Sequence, residues 1–302
     1  MSELFPGFEE RRIPTFGAEI FLRLGGNGPP LLLLHGYPQT HVMWYQLAPA
    51  LARRFTVVLP DLRGYGASSC PPNDPDNFTY SKRAMAQDMV QVMETLGHQV
   101  FAIAGHDRGG RVGYRLALDS PERVERLAVL DIVPTYAMWQ NLTPDLAMRA
   151  YHWLFLAQPS PLPEMLISRS PDEFLEYTIA SWTRDHDLSS FPQLVLSAYK
   201  AAFRHPEHIR ATCDDYRAGQ TYDLFADEAD FDAGRRLAMP VLALWGETGF
   251  AGRTNGPLEI WRRWANDVSG HAIDSGHFLA EENPAATLEA LMTFLLADGE
   301  PG

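Results

Sequence analysis

The stretch VFAIAGHDRGGRVGYRLALDSP, from Val100 to Pro121, decides the fold. A short apolar run leads into Gly105-His106-Asp107-Arg108-Gly109-Gly110, and a helix-like segment, RVGYRLALDS, continues until Pro121 stops it. Strand, tight turn and helix follow one another without a linker. Gly105 and Gly109 flank the turn with residues small enough to let it close sharply, which lifts the Asp107 side chain above the strand ends. The helix after the turn points its first N–H groups at that carboxylate.

Outward from this turn, Val/Leu/Ile-rich segments alternate with longer helical stretches, the pattern of an α/β protein with a mostly parallel sheet. Strands are expected at LLLLHG from Leu31, TVVLPD from Thr56, VFAIAGHD from Val100, LAVLDI from Leu127, VLALWGE from Val241 and HAIDSGH from His271, all of them buried. A helix is expected from Ser81 to Leu96, with Met85, Met89, Val92, Met93 and Leu96 on one face and Gly97 as its stop. The segment RRIPTFGAEIFLRLGG suggests an antiparallel hairpin turning at Phe16-Gly17. Between Pro134 and about Arg235 the strand rhythm gives way to aromatic, Pro-punctuated helical segments. The expected organisation is therefore a core from residues 1–133 and 236–302, interrupted by a helical cap over 134–235. The whole resembles the α/β-hydrolase fold, with aspartate where the elbow of that fold commonly carries serine.

The chain has 302 residues, 25 Lys and Arg against 38 Asp and Glu, and a formal net charge of −13. Such a field repels polyanions and disfavours nucleic-acid or anionic-membrane partners. No apolar run approaches the roughly 18 residues of a membrane span. The start, MSELFPGFEE, lacks the basic and apolar regions of a secretory signal, so a cytoplasmic location is expected. The two cysteines, Cys70 and Cys213, predict neither a disulfide framework nor a metal site.

A carboxylate at the elbow selects the chemistry. Attack on an ester or amide would give an anhydride, whereas attack on saturated carbon displaces a halide or opens an epoxide and leaves an alkyl ester on Asp107. Water must then cleave that ester, which requires a general base. His277, in DSGHFLAEENP after the last expected strand, stands at the chain position of the histidine in this fold. Two acids could orient it: Asp131 at the end of LAVLD, the favoured choice, and Glu247 after VLALWG. Many relatives of the fold have an aspartate two residues beyond Glu247, where this chain has Gly249. The loop Leu34-His35-Gly36-Tyr37-Pro38 matches the oxyanion-loop position, so the backbone N–H groups of Tyr37 and Arg108 are candidate oxyanion donors.

Over nearly its whole length the chain resembles the fluoroacetate dehalogenases, most closely in GHDRGGRVGYRLALDSPERVERLAVLDIVPTY and in YHWLFLAQPSPLPE. The resemblance implies hydrolysis of fluoroacetate or chloroacetate to glycolate and halide, no metal or organic cofactor, a small haloacid as the partner, and a homodimer. It assigns Asp107, His277 and Asp131 to catalysis, and Arg108 and Arg111 to the substrate carboxylate. His152, Trp153 and Tyr216 match the halide-binding positions. Two guanidiniums on one helix would answer the opposing net charge, since a planar fork grips a carboxylate at two points. Arg115 is expected to pair with Asp119 instead, and Tyr136, Tyr151 and Trp182 to pack or line the pocket. His35 and His106 are read as packed residues and His205 and His208 as exposed. The rival readings are an epoxide hydrolase or haloalkane-dehalogenase-like enzyme with the same Asp/His/Asp set, or a noncatalytic ligand-binding protein.

Overall fold

The computed structural model describes residues 2–254 and 256–297. Its eight strands are β1 (Glu9–Pro14), β2 (Glu19–Gly25), β3 (Pro30–Leu34), β4 (Thr56–Pro60), β5 (Phe101–His106), β6 (Val124–Leu130), β7 (Val241–Gly246) and β8 (Val268–Ile273). They form one sheet in the order β1-β2-β4-β3-β5-β6-β7-β8. β1 pairs antiparallel with β2, the expected hairpin, and β2 antiparallel with β4; every pairing from β4 through β8 is parallel. Parallel strands need crossovers, and the helices that supply them cover both faces of the sheet. For that reason β5 is buried along its entire length, and Leu31 to Leu34 of β3 are fully enclosed.

The helices α1 (Ala48–Leu51), α2 (Lys82–Thr95) and α3 (Arg108–Asp119) precede β6. In α2 the Ser81 side chain accepts from the Ala84 amide as N-cap, and Met85, Met89, Val92 and Met93 are buried as their spacing requires. Between β6 and β7 lie only helices among the described residues: α4 (Thr135–Gln140), α5 (Pro144–Arg149), α6 (Tyr151–Leu156), α7 (Leu162–Ile167), α8 (Pro171–Trp182), α9 (Gln193–Phe203), α10 (Pro206–Gln220) and α11 (Tyr222–Asp232). After β7 come α12 (Pro257–Trp264), α13 (Leu279–Glu282) and α14 (Pro284–Leu296).

One expected strand is displaced. β8 begins at Val268 rather than His271 and ends at Ile273, so DSGH is a loop, and most of β8 is exposed because it forms the sheet edge. His208 also departs from expectation: it is half-buried, its Nδ1 lying 2.9 Å from the Gly64 carbonyl oxygen and 3.2 Å from Cys70 Sγ.

Helices α10 and α11 dock on α2 and α3 through buried ion pairs in which the later helices supply the acids. Arg115 meets Asp230 at 2.5 Å as well as Asp119 at 2.9 Å, and Lys82 meets Asp215. The carboxyl ends of β5 and β6 open beneath this helical layer, where a parallel sheet of this kind places its ligands.

Candidate active site

Asp107 sits between β5 and α3 with φ +45° and ψ −117°, a region that costs a non-glycine residue about 1–3 kcal/mol. The turn is held by close approach: a Cβ at Gly109 would lie 2.4 Å from the His35 carbonyl oxygen. The strained backbone raises the carboxylate to the loop after β3, where the Tyr37 amide donates to Asp107 Oδ2 at 2.9 Å. Burial favours the neutral acid, but His277, His106, Arg108 and Arg111 outweigh it and hold Asp107 below the ordinary carboxylate range. Asp107 is thus an anion at neutral pH.

His277, in the loop after β8, donates from Nδ1 to Asp131 Oδ2 at 2.6 Å. Asp131 ends β6, also at positive φ (+50°), and accepts from the Gly246 and Phe250 amides at 3.2 and 2.9 Å. Its carboxylate occupies the space that a side chain at 249 would need: a Cβ on Gly249 would fall 2.4 Å from Asp131 Oδ1. An acid reaching in from the end of β6 therefore replaces one from the loop after β7, and Glu247 points to solvent. His106 packs against His277, ring centroids 4.5 Å apart, with Nε2 on the His277 carbonyl oxygen. Burial pushes the His106 pKa down to about 3, so its imidazole is neutral.

The two arginines differ from the expected symmetrical clamp. Arg111 lines the same cavity as Asp107; its Nη1 donates to the Val133 carbonyl at 2.9 Å and to Thr135 Oγ1 at 3.1 Å, and its buried Nε has no partner. Arg108 lies against the cap aromatics, its guanidinium 5.9 Å from the Trp153 ring centroid and 4.3 Å from that of Tyr216. Its Nε and Nη2 bind Asp215 Oδ2 and Oδ1 at 3.0 and 2.5 Å, and Nη2 also reaches the Asp215 carbonyl at 2.9 Å. The two-point face of Arg108 is already occupied, because a buried guanidinium needs a counter-charge in the ligand-free protein.

His152, Trp153 and Tyr216 converge on this region from α6 and α10. The Tyr216 ring lies 5.5 Å from His152 and 6.3 Å from Trp153, with the Arg108 guanidinium 4.3 Å from its centroid. Trp153 faces Arg111 at 4.6 Å. The Tyr216 hydroxyl and His152 Nδ1 are buried without partners. Burial holds the His152 imidazole well below its usual pKa and the Tyr216 hydroxyl well above, so one is neutral and the other protonated at pH 7. The small cavity they approach is walled by Asp107, Arg111, Asp131, His152, Trp153 and His277 with Met138 and Phe250. A wider cleft opens on the far side of His277 and Phe250, with Tyr151 and Trp182 in its wall.

Several residues of this arrangement escape a reading of the sequence. Asp215, Lys82 and Tyr65 join Arg108 in one buried network; Trp182, expected to pack or line the pocket, lies with its ring centroid 4.2 Å from that of His152 and carries a buried indole N–H without a partner. The only available signal for Asp215 was its place beside Tyr216. Among the described residues no His/Cys/Asp/Glu group has the arrangement of a metal site, and no helix is long and apolar enough to cross a membrane.

Residues 29–284 match the family model for the α/β hydrolase fold. The chain is 41% identical to a fluoroacetate dehalogenase of Burkholderia sp over 97% of its length and 95% of the relative's. It is 32% identical to a soluble epoxide hydrolase of Corynebacterium sp. (strain C12), covering 89% of this chain and 91% of that one. Among solved structures, a mutant of a protein provisionally named an epoxide hydrolase from Pseudomonas aeruginosa, with bound MFA, is 47% identical and superposes with a TM-score of 0.91 over 97% of both chains. A parallel sheet with an acidic elbow, a histidine beyond its last strand and a family match across most of the chain lead to one assignment: the protein belongs to the α/β-hydrolase family.

Proposed function

We propose that this hydrolase cleaves the carbon–halogen bond of haloacetates, converting fluoroacetate or chloroacetate to glycolate through an ester on Asp107. The observation that carries the reading is the meeting of Asp107, Arg111, His152, Trp153 and His277 around one small cavity. The Tyr37 amide occupies Asp107 Oδ2 and leaves Oδ1 to attack the α-carbon. Arg111 Nε and the Arg108 guanidinium hold the substrate carboxylate. As the new C–O bond forms, halide departs with the bonding electrons toward the N–H and O–H groups of His152, Trp153 and Tyr216, which replace its lost hydration. The Nδ1 bond to Asp131 leaves His277 Nε2 free to take a proton from water as its oxygen adds to the Asp107 carbonyl carbon. Collapse of that adduct passes the proton from His277 to the departing glycolate oxygen, and the carboxylic acid left on Asp107 loses the second water proton to solvent, which restores the carboxylate.

The residues 134–235 act as a cap that shields this chemistry from water. Leu154, Leu162, Met165 and Leu166 of α6 and α7, each 42–45% exposed, support the homodimer implied by the family resemblance. A cytoplasmic setting is consistent with the two free cysteines.

An epoxide hydrolase would use the same aspartate and histidine, and Tyr216 could protonate an alkoxide; the 32% identical relative favours that alternative. The buried guanidiniums favour the anionic substrate. Purified protein assayed side by side with fluoroacetate, chloroacetate and a neutral epoxide separates the two, with a fluoride electrode as the readout for the first. Turnover of the epoxide alone overturns the haloacetate reading. A single turnover in heavy-oxygen water tests the route: label should enter Asp107 and not the first glycolate released, and label in that glycolate would mean direct attack by water.

A further inference from the structure

Arg108 is 1% exposed near the catalytic cavity, and its surroundings are built around one acid that the mechanism above does not use. Asp215, fully buried on α10, binds Nε and Nη2 of Arg108 with its two carboxylate oxygens. The same oxygens accept from Tyr65 Oη at 2.6 Å and from Lys82 Nζ, itself only 2% exposed along its side chain. Lys82 lies 3.5 Å from a second buried acid, Asp223, whose Oδ1 accepts from the Lys82 amide at 2.8 Å.

We propose that Asp215, held by Lys82 and Tyr65, is a positioning residue for carboxylate recognition, fixing Arg108 so that Nη1 is the nitrogen it offers to an acid substrate. The inference rests on the haloacetate reading and deepens it. An unrestrained arginine would surrender rotamer freedom on gripping a ligand; one already fixed has lost that freedom during folding. A lone aspartate would fix Arg108 but cancel its charge. The Lys82 ammonium and the Tyr65 hydroxyl share the Asp215 oxygens, so that carboxylate is not given over to Arg108 alone. Tyr216, the next residue on α10, stacks on the same guanidinium and carries one of the unpartnered hydroxyls. One turn of helix thereby sets the carboxylate grip and a leaving-group donor together.

Acetate carries the carboxylate end of the substrate and no leaving group, so calorimetric titration with acetate reports the grip whether or not carbon–halogen bonds are cleaved. Tyr65→Phe removes one hydrogen bond to Asp215 and leaves every charge in place. It should bind acetate about threefold more weakly, less than the loss of a charged hydrogen bond made to the ligand itself. Asp215→Asn should weaken acetate by tenfold or more, on the scale of lost charge-assisted bonds. In steady state the KM for chloroacetate should rise by matching factors while kcat stays within about twofold, the pattern of lost uniform binding. If Asp215→Asn fails to fold, Tyr65→Phe still decides. Unchanged acetate affinity in Tyr65→Phe overturns the proposal, as does tighter binding, which would make Asp215 a competitor of the substrate. Absence of acetate binding by the unsubstituted protein also overturns it. Acetate binding without halide release from any haloacetate would instead overturn the functional reading and leave the grip standing.

Discussion

Trp153 shows how far a single side chain can be asked to discriminate between leaving groups. Its indole ring faces the Arg111 guanidinium at 4.6 Å and neighbours Tyr216 at 6.3 Å, while the N–H is the one group that phenylalanine would lack. Fluoride is more strongly hydrated than chloride and so depends more on donors that replace water. Trp153→Phe should therefore lower the rate of fluoride release from fluoroacetate at least about tenfold more than chloride release from chloroacetate, about the effect of one lost donor. Rates compared at saturating substrate provide the check, and equal losses would remove Trp153 from leaving-group stabilisation. At this scale Asp107 was readable because every feature that identifies it lies within a few positions along the chain. Asp215 was not: its partner Arg108 is 107 positions away, and a buried pair formed by folding leaves no local pattern. The occupied face of Arg108 was hidden for the same reason.

Element boundaries were legible where burial imposes a period. The Met-rich face of α2 and the enclosed leucines of β3 lie where their spacing predicted. β8 was misplaced because an edge strand keeps much of its surface in water, so Val268-Ser269-Gly270-His271 reads as polar connection rather than buried strand. The loop after β7 held information that only geometry could decode, since Gly249 looks like a missing acid until the carboxylate of Asp131 is seen in its place. Gly249→Ala should push that carboxylate from His277 and slow ester hydrolysis about 100-fold, less than the loss of a triad acid itself. Displacement of halide from the substrate does not require His277, so a rapid first burst of halide should survive and an ester adduct should accumulate on the peptide containing Asp107. Mass spectrometry after quenching reads that adduct, and loss of the burst together with turnover would contradict the division of labour between Asp107 and the Asp131–His277 pair.

Across the whole molecule, buried acids fall into two groups that oppose each other as pH changes. For Asp61, burial favours the neutral form but its contacts and hydrogen bonds with His41 outweigh it, lowering its pKa to about 2. Burial is likewise overcome at Asp119 by Arg83 and Arg115, and at Asp215 by Arg108 and Lys82. These acids bind protons less readily folded than unfolded. Their stabilisation is complete above the unfolded value near 4 and is lost as pH falls through the folded values, which loosens the ion pairs joining α10 and α11 to α2 and α3. Asp227 goes the other way: burial raises it to about 6, although Tyr114 and the Tyr136 amide donate to it. Burial raises Asp223 and Glu281 as well. Such acids contribute fully below their unfolded values and lose that contribution as pH rises through the folded ones, about 3 kcal/mol for Asp227 by the usual conversion. The urea midpoint should therefore peak near pH 4 and fall on both sides. Relief of the −13 net charge on acidification acts in the same direction on the alkaline side, so the variant Asp227→Asn is needed to isolate the buried group. Its amide cannot ionise, and the decline from about pH 4 to 6 should flatten while the acid limb stays where it was. A midpoint that drops steadily from pH 8 to 4, or an alkaline limb identical in the variant, would show that desolvated acids do not shape the stability of this fold.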